Sequence, residues 1–312
     1  MSSQIFKSPL PYLALLLAHL IWGANFVVAK ITLQEFPPMS LIFLRFIFAS
    51  IFLLPFFISQ KKKVKLAKQD LPKLIAVGVF AITLNISLFF EGLKRTTAID
   101  ASMLSLTLPM FSVLFGWWFL KEKIYFVNLV GIFVGFLGAL VIIGVPQIFT
   151  GTISPEAFLG NILIILASIS WVVGAIISKP LLSKYSSLVV TGIIFIVGAI
   201  TVCLPALMEY FKNPAWMNQI TILGLLGITY MILLSSISAY FLFEWGLSKI
   251  SVVMADLFQY IEPFIATVLA VLILGEKISH SFLFGAVLIA VGVFMGTLAK
   301  KELHHRRKTH RM

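Results

Sequence analysis

The chain has 312 residues, 60% of them hydrophobic and 12% charged, with a mean hydropathy of +1.05. Soluble domains are about a quarter charged, so this composition excludes a soluble globular enzyme, a disordered chain and a disulfide-rich secreted module, and marks a polytopic membrane protein. A formal net charge of +12 would suit nucleic acid, but the basic residues sit in loops and the terminal segment, as expected at a membrane surface.

Scanned in chain order with a window of about 19 residues, apolar spans fall at 10–29, 39–58, 74–93, 98–120, 124–144, 159–178, 187–208, 221–247, 252–274 and 279–298. Ten spans place both termini on one side. The first follows a lone Lys7 and runs a full membrane thickness, so it reads as a membrane helix rather than a cleaved signal peptide. With the N-terminus inside, 18 of the 24 lysines and arginines lie in inner segments and 5 in outer ones, Arg45 lying within a span. The positive-inside rule then predicts cytoplasmic termini. At about 20 residues per span, no room remains for a soluble catalytic or nucleotide-binding unit. The single cysteine, Cys203, lies in an apolar run, which excludes an intrachain disulfide and a cysteine-cluster metal site.

The chain also repeats. A shift of 154 residues lays Ala101, Pro109, Glu122, Lys123 and Ile124 on Ala255, Pro263, Glu276, Lys277 and Ile278, and Gly92-Leu93 on Gly246-Leu247. The same shift lays Gly131 and Gly138 on Gly285 and Gly292, and nearer the N-terminus a shift of 149 aligns Trp22 with Trp171 and Lys30 with Lys179. The repeat unit is five spans, an odd number, so a second copy enters the membrane upside down. The expected fold is therefore an all-α integral membrane protein of ten transmembrane helices in two inverted five-helix repeats. Residues 1–150 and 151–312 form the two repeats, the second carrying a basic cytoplasmic tail. Inverted repeats of this kind place a binding site near the midplane between the halves.

Several of these residues carry a family likeness. With Ile21-Trp22-Gly23-Ala24-Asn25-Phe26, Arg45 in span two, Pro109 followed by Leu120-Lys121-Glu122, and Glu262-Pro263 followed by Leu274-Gly275-Glu276-Lys277, the chain resembles the drug/metabolite transporter superfamily in its ten-helix EamA-type branch, along nearly its whole length. Lys121 stands where the Leu-Gly-Glu pattern has glycine. The resemblance implies a carrier of small organic metabolites, often an exporter of amino acids or related compounds, with spans 1, 3, 4, 6, 8 and 9 around a central cavity. It also implies a bacterial inner (cell) membrane as the location.

Ionisable side chains inside a span are costly and mark functional candidates. Arg45 lies about 9 Å below the outer interface at 1.5 Å per residue. It is either a counter-ion for a substrate carboxylate or a structural partner of Glu91. Glu262, at the middle of span nine beside Pro263, can bind a cationic amine, exchange a proton, or simply strap the span to its neighbours. Asp256, Gln259, Tyr260 and Pro263 share one helix face, with Asp256 either touching substrate or pairing with Lys249. Ser236, Tyr240 and Glu244 form a polar stripe on span eight, which must face protein or a water-filled cavity. Glu244 could instead pair with Lys249. His19, Trp22, Gly23 and Phe26 share a face beside Asn25, and a lone histidine there reads as a packing residue. Trp22 and Trp171, equivalent in the repeat, suggest cavity walls, and Asn85 needs buried partners.

The substrate-binding set expected is thus Trp22, Asn25, Asn85, Trp171, Tyr240, Glu244, Gln259, Tyr260 and Glu262, with Glu262, Arg45 and Asp256 as coupling or counter-ion candidates. Gly131-x-x-x-Gly135 and Gly292-x-x-x-Gly296 pack spans five and ten together or support a homodimer. No His-Glu-x-x-His, Gly-x-Ser-x-Gly or phosphate-binding loop occurs, so no enzyme, cofactor or metal is expected. The leading function is a secondary transporter exporting a small organic metabolite, with a small-molecule substrate and membrane lipids as partners and no nucleic acid. A lipid flippase, a channel-like protein and an importer or exchanger of a nucleoside-like metabolite remain alternatives.

Overall fold

The computed structural model describes residues 9–60, 66–120, 126–145, 153–250, 255 and 257–309. Among these residues every regular element is helical. The helices are α1 (Leu10–Thr32), α2 (Pro38–Gln60), α3 (Lys68–Arg95), α4 (Ala98–Phe119), α5 (Phe126–Ile143), α6 (Pro155–Leu181), α7 (Ser187–Lys212), α8 (Ile222–Lys249), α9 (Phe258–Leu274) and α10 (His280–Thr309). The first eight are long and apolar enough to cross a membrane, while α9 and the His280–Gly292 part of α10 are shorter apolar helices.

Local chemistry sets the starts. Thr97 Oγ1 accepts from Asp100 N, Ser154 Oγ from Ala157 N, and Thr221 Oγ1 from Leu223 N and Gly224 N, each taking up amides that a helix N-terminus leaves without partners. Several helices run a turn past the hydropathy spans, and two boundaries move further. Helix α3 begins at Lys68 rather than 74, because Asp70 is held by Lys184 and Tyr185 and Pro72 is tolerated in a first turn. Helix α10 continues through Thr309, so much of the expected basic tail is helical.

Both α3 and α8 change pitch midway. Gly78–Leu84 and Met231–Ser238 are π-helical, and a shift of 154 residues lays one on the other within a residue. A π turn frees carbonyls from the regular ladder. Ser170 Oγ donates to Phe80 O at 2.7 Å in the first, and Trp22 Nε1 donates to Ser235 O at 3.0 Å in the second.

Helix α1 packs on α8 and α9, whereas α6 packs on α3 and α4; α2 and α7 pack on each other, and α5 packs on α10. Helices α1 and α6 run antiparallel. The C-terminal end of α3 meets the start of α6 at Gly92 and Gly160 and the end of α1 at Lys30, while the C-terminal end of α8 meets the start of α1 at Gly246 and Leu15 and the end of α6 at Lys179.

Of the two readings of the spaced glycines, the structure shows packing within one chain. A Cβ on Gly292 would lie 2.3 Å from Gly135 N and 2.5 Å from Gly131 O, and one on Gly138 would lie 2.6 Å from Gly285 O. Without a hydrophobic drive between helices in lipid, such backbone approach supplies the packing energy. Gly292→Val is expected to destabilise the protein by about 1–3 kcal/mol, measured by unfolding the purified protein in mixed micelles.

Candidate functional site

A cavity of about 690 Å³, counted out to its mouth, lies between α1, α8 and α9 on one side and α3, α4 and α6 on the other, with α2 contributing one residue. The close fit of α1 against α9 forms one wall. A Cβ on Gly23 would stand 3.1 Å from both Glu262 Cα and Glu262 O, so glycine there lets the two backbones meet. One turn earlier, His19 Nδ1 and Glu262 Oε1 are hydrogen-bonded at 2.6 Å, and both side chains are buried. The proton rides on the imidazole when Glu262 is ionised and on the carboxyl when it is neutral. The partner that satisfies His19 lies 243 positions away, out of reach of any local pattern.

Opposite charge sits elsewhere on the same cavity. Arg45 is 1% exposed. Its Nε donates to Ser236 Oγ at 2.6 Å, its Nη2 donates to Ser235 Oγ at 3.0 Å, and its guanidinium stands 5.0 Å from the centre of the Phe46 ring. Among the described residues no carboxylate lies within ion-pair distance of it. Glu91, the partner considered for it, instead pairs with Arg95 one turn along α3. The π turn of α8 places Ser235 and Ser236 side by side and so presents both hydroxyls to the guanidinium.

Aromatic rings fill the space between. Trp22 and Trp171 stand edge to face at 5.5 Å, and Tyr240 packs against them at 5.3 and 5.7 Å. Asn85 Nδ2 donates to Ala167 O at 2.9 Å across the α3–α6 contact. Three buried polar atoms at the cavity, the ring nitrogen His19 Nε2 and the amide oxygens Asn25 Oδ1 and Gln259 Oε1, have no hydrogen-bond partner among the described residues.

Of the residues expected to bind substrate, Trp22, Asn25, Asn85, Trp171, Tyr240, Gln259 and Glu262 line this cavity, as does Arg45. Glu244 and Tyr260 do not. Glu244 is turned toward α6, where its Oε2 accepts from Ser178 Oγ at 3.1 Å rather than pairing with Lys249. The π turn ends at Ser238, so it shifts Ser236 relative to Tyr240 and Glu244, which stay one regular turn apart; Glu244 lies a turn past Tyr240, where Ser178 of α6 takes it up. Tyr260 lies in a short 3-10 turn ahead of Ile261 and packs against the core, so the regular helical face drawn through it does not hold. Asp256 lies outside the described residues. The cavity also takes in Phe89, Ser105, Ser168 and Ser235, which the sequence reading passed over. Serines scattered on apolar helices were the signal available for three of them.

Comparison with known proteins gives the geometry its context. The model of the EamA-like transporter family matches twice, over residues 9–144 and 158–298. The chain belongs to the EamA-like transporter family. Its relatives include an uncharacterized transporter of Archaeoglobus fulgidus, 29% identical over 93% of this chain and 98% of the relative, and one of Clostridium kluyveri, 27% identical over 95% and 96%. The uncharacterized inner membrane transporter YedA of Escherichia coli K12 is 26% identical over 95% of this chain and 93% of its own. A protein of known crystal structure, 20% identical, superposes with a TM-score of 0.66 over 94% of this chain and 97% of its own, a likeness of fold. This EamA-like transporter is thus a multi-pass membrane protein with a polar and aromatic cavity among its helices.

The serine cradle of Arg45 separates two roles for it. Ser236→Ala leaves a buried guanidinium N–H without its acceptor and is expected to cost about 1–3 kcal/mol of stability. Arg45→Met removes the charge together with its needs and is expected to be nearly neutral for stability while abolishing transport. Unfolding in mixed micelles, alongside transport in liposomes, checks both; strong destabilisation by Arg45→Met with residual transport intact would make the arginine structural.

Proposed function

We propose that this EamA-like transporter is a secondary transporter that moves a small metabolite bearing both an anionic and a cationic group, an amino acid or a related compound, by alternating access. The supporting observation is the cavity itself, which holds an arginine and, on a different wall, a His19–Glu262 pair beside the amide oxygens of Asn25 and Gln259; among the described residues the arginine has no carboxylate partner and the two oxygens no donor. Arg45 suits a substrate carboxylate, bidentate and always charged. Glu262, Asn25 and Gln259 suit an ammonium group, and Trp22, Trp171 and Tyr240 suit an apolar or aromatic side chain. Glu262 with His19 also supplies a titratable pair through which a proton can be exchanged for the amine. A carboxylate that releases one ligand to take up the other couples the two fluxes.

In this reading the chain spans the membrane ten times, as inverted repeats of residues 1–150 and 151–312, with both termini in the cytoplasm and the chain in the cell membrane. The twofold family match, the antiparallel α1 and α6 and the paired π turns support the inversion, and the excess of Lys and Arg in the termini-side segments supports the orientation. Tags at both termini are expected to resist protease in sealed right-side-out vesicles, and cleavage of both would reverse the orientation.

The direct experiment is counterflow of labelled amino acids in proteoliposomes. Saturable uptake is expected, and Glu262→Gln, which keeps size and hydrogen bonding without titration, is expected to flatten its pH profile and lower its rate at least tenfold. A folded Glu262→Gln protein with unchanged rate and profile would remove Glu262 from the mechanism. Scrambling of labelled lipid without saturable solute flux would favour a flippase instead.

A further inference from the structure

Outside the cavity, two half-buried lysines form a second pattern. Lys30, at the end of α1, donates to Leu93 O at 2.7 Å and to Thr96 O, carbonyls at the C-terminal end of α3. Lys179, near the end of α6, donates to Leu247 O and to Ile250 O, carbonyls at the C-terminal end of α8. The two clasps are equivalent by sequence, since Lys30 aligns with Lys179 at one shift, and Leu93 and Thr96 with Leu247 and Ile250 at the other. They sit at opposite ends of the bundle, because α1 and α6 run antiparallel. Each puts an ammonium on the negative end of a helix dipole and takes up carbonyls that a helix leaves without partners.

Their placement relative to the cavity is what suggests a role. Helix α1 packs chiefly on α8 and α9, and α6 chiefly on α3 and α4, so the cavity runs between two groups of helices. Lys30 reaches from the first group to the second, and Lys179 reaches from the second back to the first. Each clasp therefore crosses the seam that has to part if the cavity is to open at that end. The clasp beyond Lys30 is reinforced: Glu276 accepts from Ala98 N at 2.9 Å and Ile99 N at 3.0 Å, capping the start of α4 immediately past Thr96. Gly275, with φ +66°, ends α9 and turns the chain so that Glu276 can reach there. At the other end Glu244 lies beside Lys179, held by Ser178.

We infer that Lys30 and Lys179 are the two gate residues of the transport cycle, each clasp closing the cavity toward one face of the membrane and breaking when the cavity opens to that face. This rests on the transporter reading above. Both clasps are made in the structure. Opening at one end breaks two charge-assisted hydrogen bonds while the other clasp holds the groups together. A rigid rocking of one group on the other that pivots about one clasp leaves that clasp made and lengthens its counterpart.

The test uses the full chain in membrane vesicles, with Cys203→Ser and a single reporter, Ser168→Cys, on the cavity wall. The probe is a membrane-impermeant maleimide applied to right-side-out or inside-out vesicles. Losing a charge-assisted hydrogen bond is expected to shift the balance of states by roughly tenfold. Lys30→Met should raise labelling from the face opposite the termini by about that factor, and Lys179→Met should raise it from the termini face. Lys30→Arg and Lys179→Arg, which keep paired donors and charge, should label like the parent. Lys30→Gln and Lys179→Gln should shift labelling in the same opposed senses to a smaller extent, so that a methionine variant that fails to fold still leaves the comparison readable. Unchanged labelling in the methionine and glutamine variants, or a shift toward the same face for both lysines, overturns the gates. Labelling needs no solute: opposed shifts without solute flux in the parent would keep the gates and sink the transporter reading, whereas flux without opposed shifts would do the reverse.

Discussion

The whole arrangement depends on one constraint: within a bilayer there is no water to satisfy a polar group, so each must find its partner inside the protein. Helices meet the demand along their length but not at their ends. Here side chains from distant segments close the ends. Lys30 and Lys179 take up carbonyls after α3 and α8, Glu276 caps α4, Glu209 accepts from Met39 N and Ser40 N at the start of α2, and Glu35 accepts from Thr221 N at the start of α8. These five charged side chains are spent in this way. What stands out is the charge with no such duty.

Arg45, Glu262 and His19 end no helix. They are buried, they lie on a cavity, and among the described residues their hydrogen-bonding capacity is not exhausted: Arg45 donates to serine hydroxyls and to no carboxylate, and His19 uses one of its two ring nitrogens. A polar group left with spare capacity in a low-dielectric site is costly unless something else uses it. In the proposed function that cost is what a bound ligand would relieve, and it carries more weight there than the size of the space.

The π turns connect backbone to site. In α8 the turn places Ser235 and Ser236 together under Arg45 and frees the carbonyl that Trp22 engages, so one irregular stretch orients a cation and an aromatic wall. Its counterpart in α3 takes Ser170 from α6. A strictly regular α8 would have put Ser236, Tyr240 and Glu244 on one stripe, which is how they read from the sequence. The pitch change offsets Ser236 from the other two, and Glu244, one turn past Tyr240, accepts from Ser178 beside Lys179 instead of facing the cavity. His19 and Glu262 were each visible as ionisable residues in apolar stretches, yet nothing local announced that they touch. The partnership of Arg45 with Glu91 was plausible by depth alone and fails because Arg95, four residues along the same helix, is nearer.

By itself the sequence determined that this is an all-helical membrane protein, where its helices run and that its halves echo each other, because hydropathy, span length and repeat spacing are properties read along one dimension. It also pointed to Trp22, Trp171, Arg45 and Glu262, since a polar or aromatic residue on an apolar helix must be accounted for whatever the fold. Only the tertiary structure decided which of these meet: that His19 holds Glu262 across 243 residues, that Arg45 rests on serines rather than a carboxylate, and that two equivalent lysines cross the seam at opposite ends. Such pairings depend on how helices pack, cross and change pitch, and a shift of one residue in register carries a side chain about 100° around its helix, from cavity to lipid.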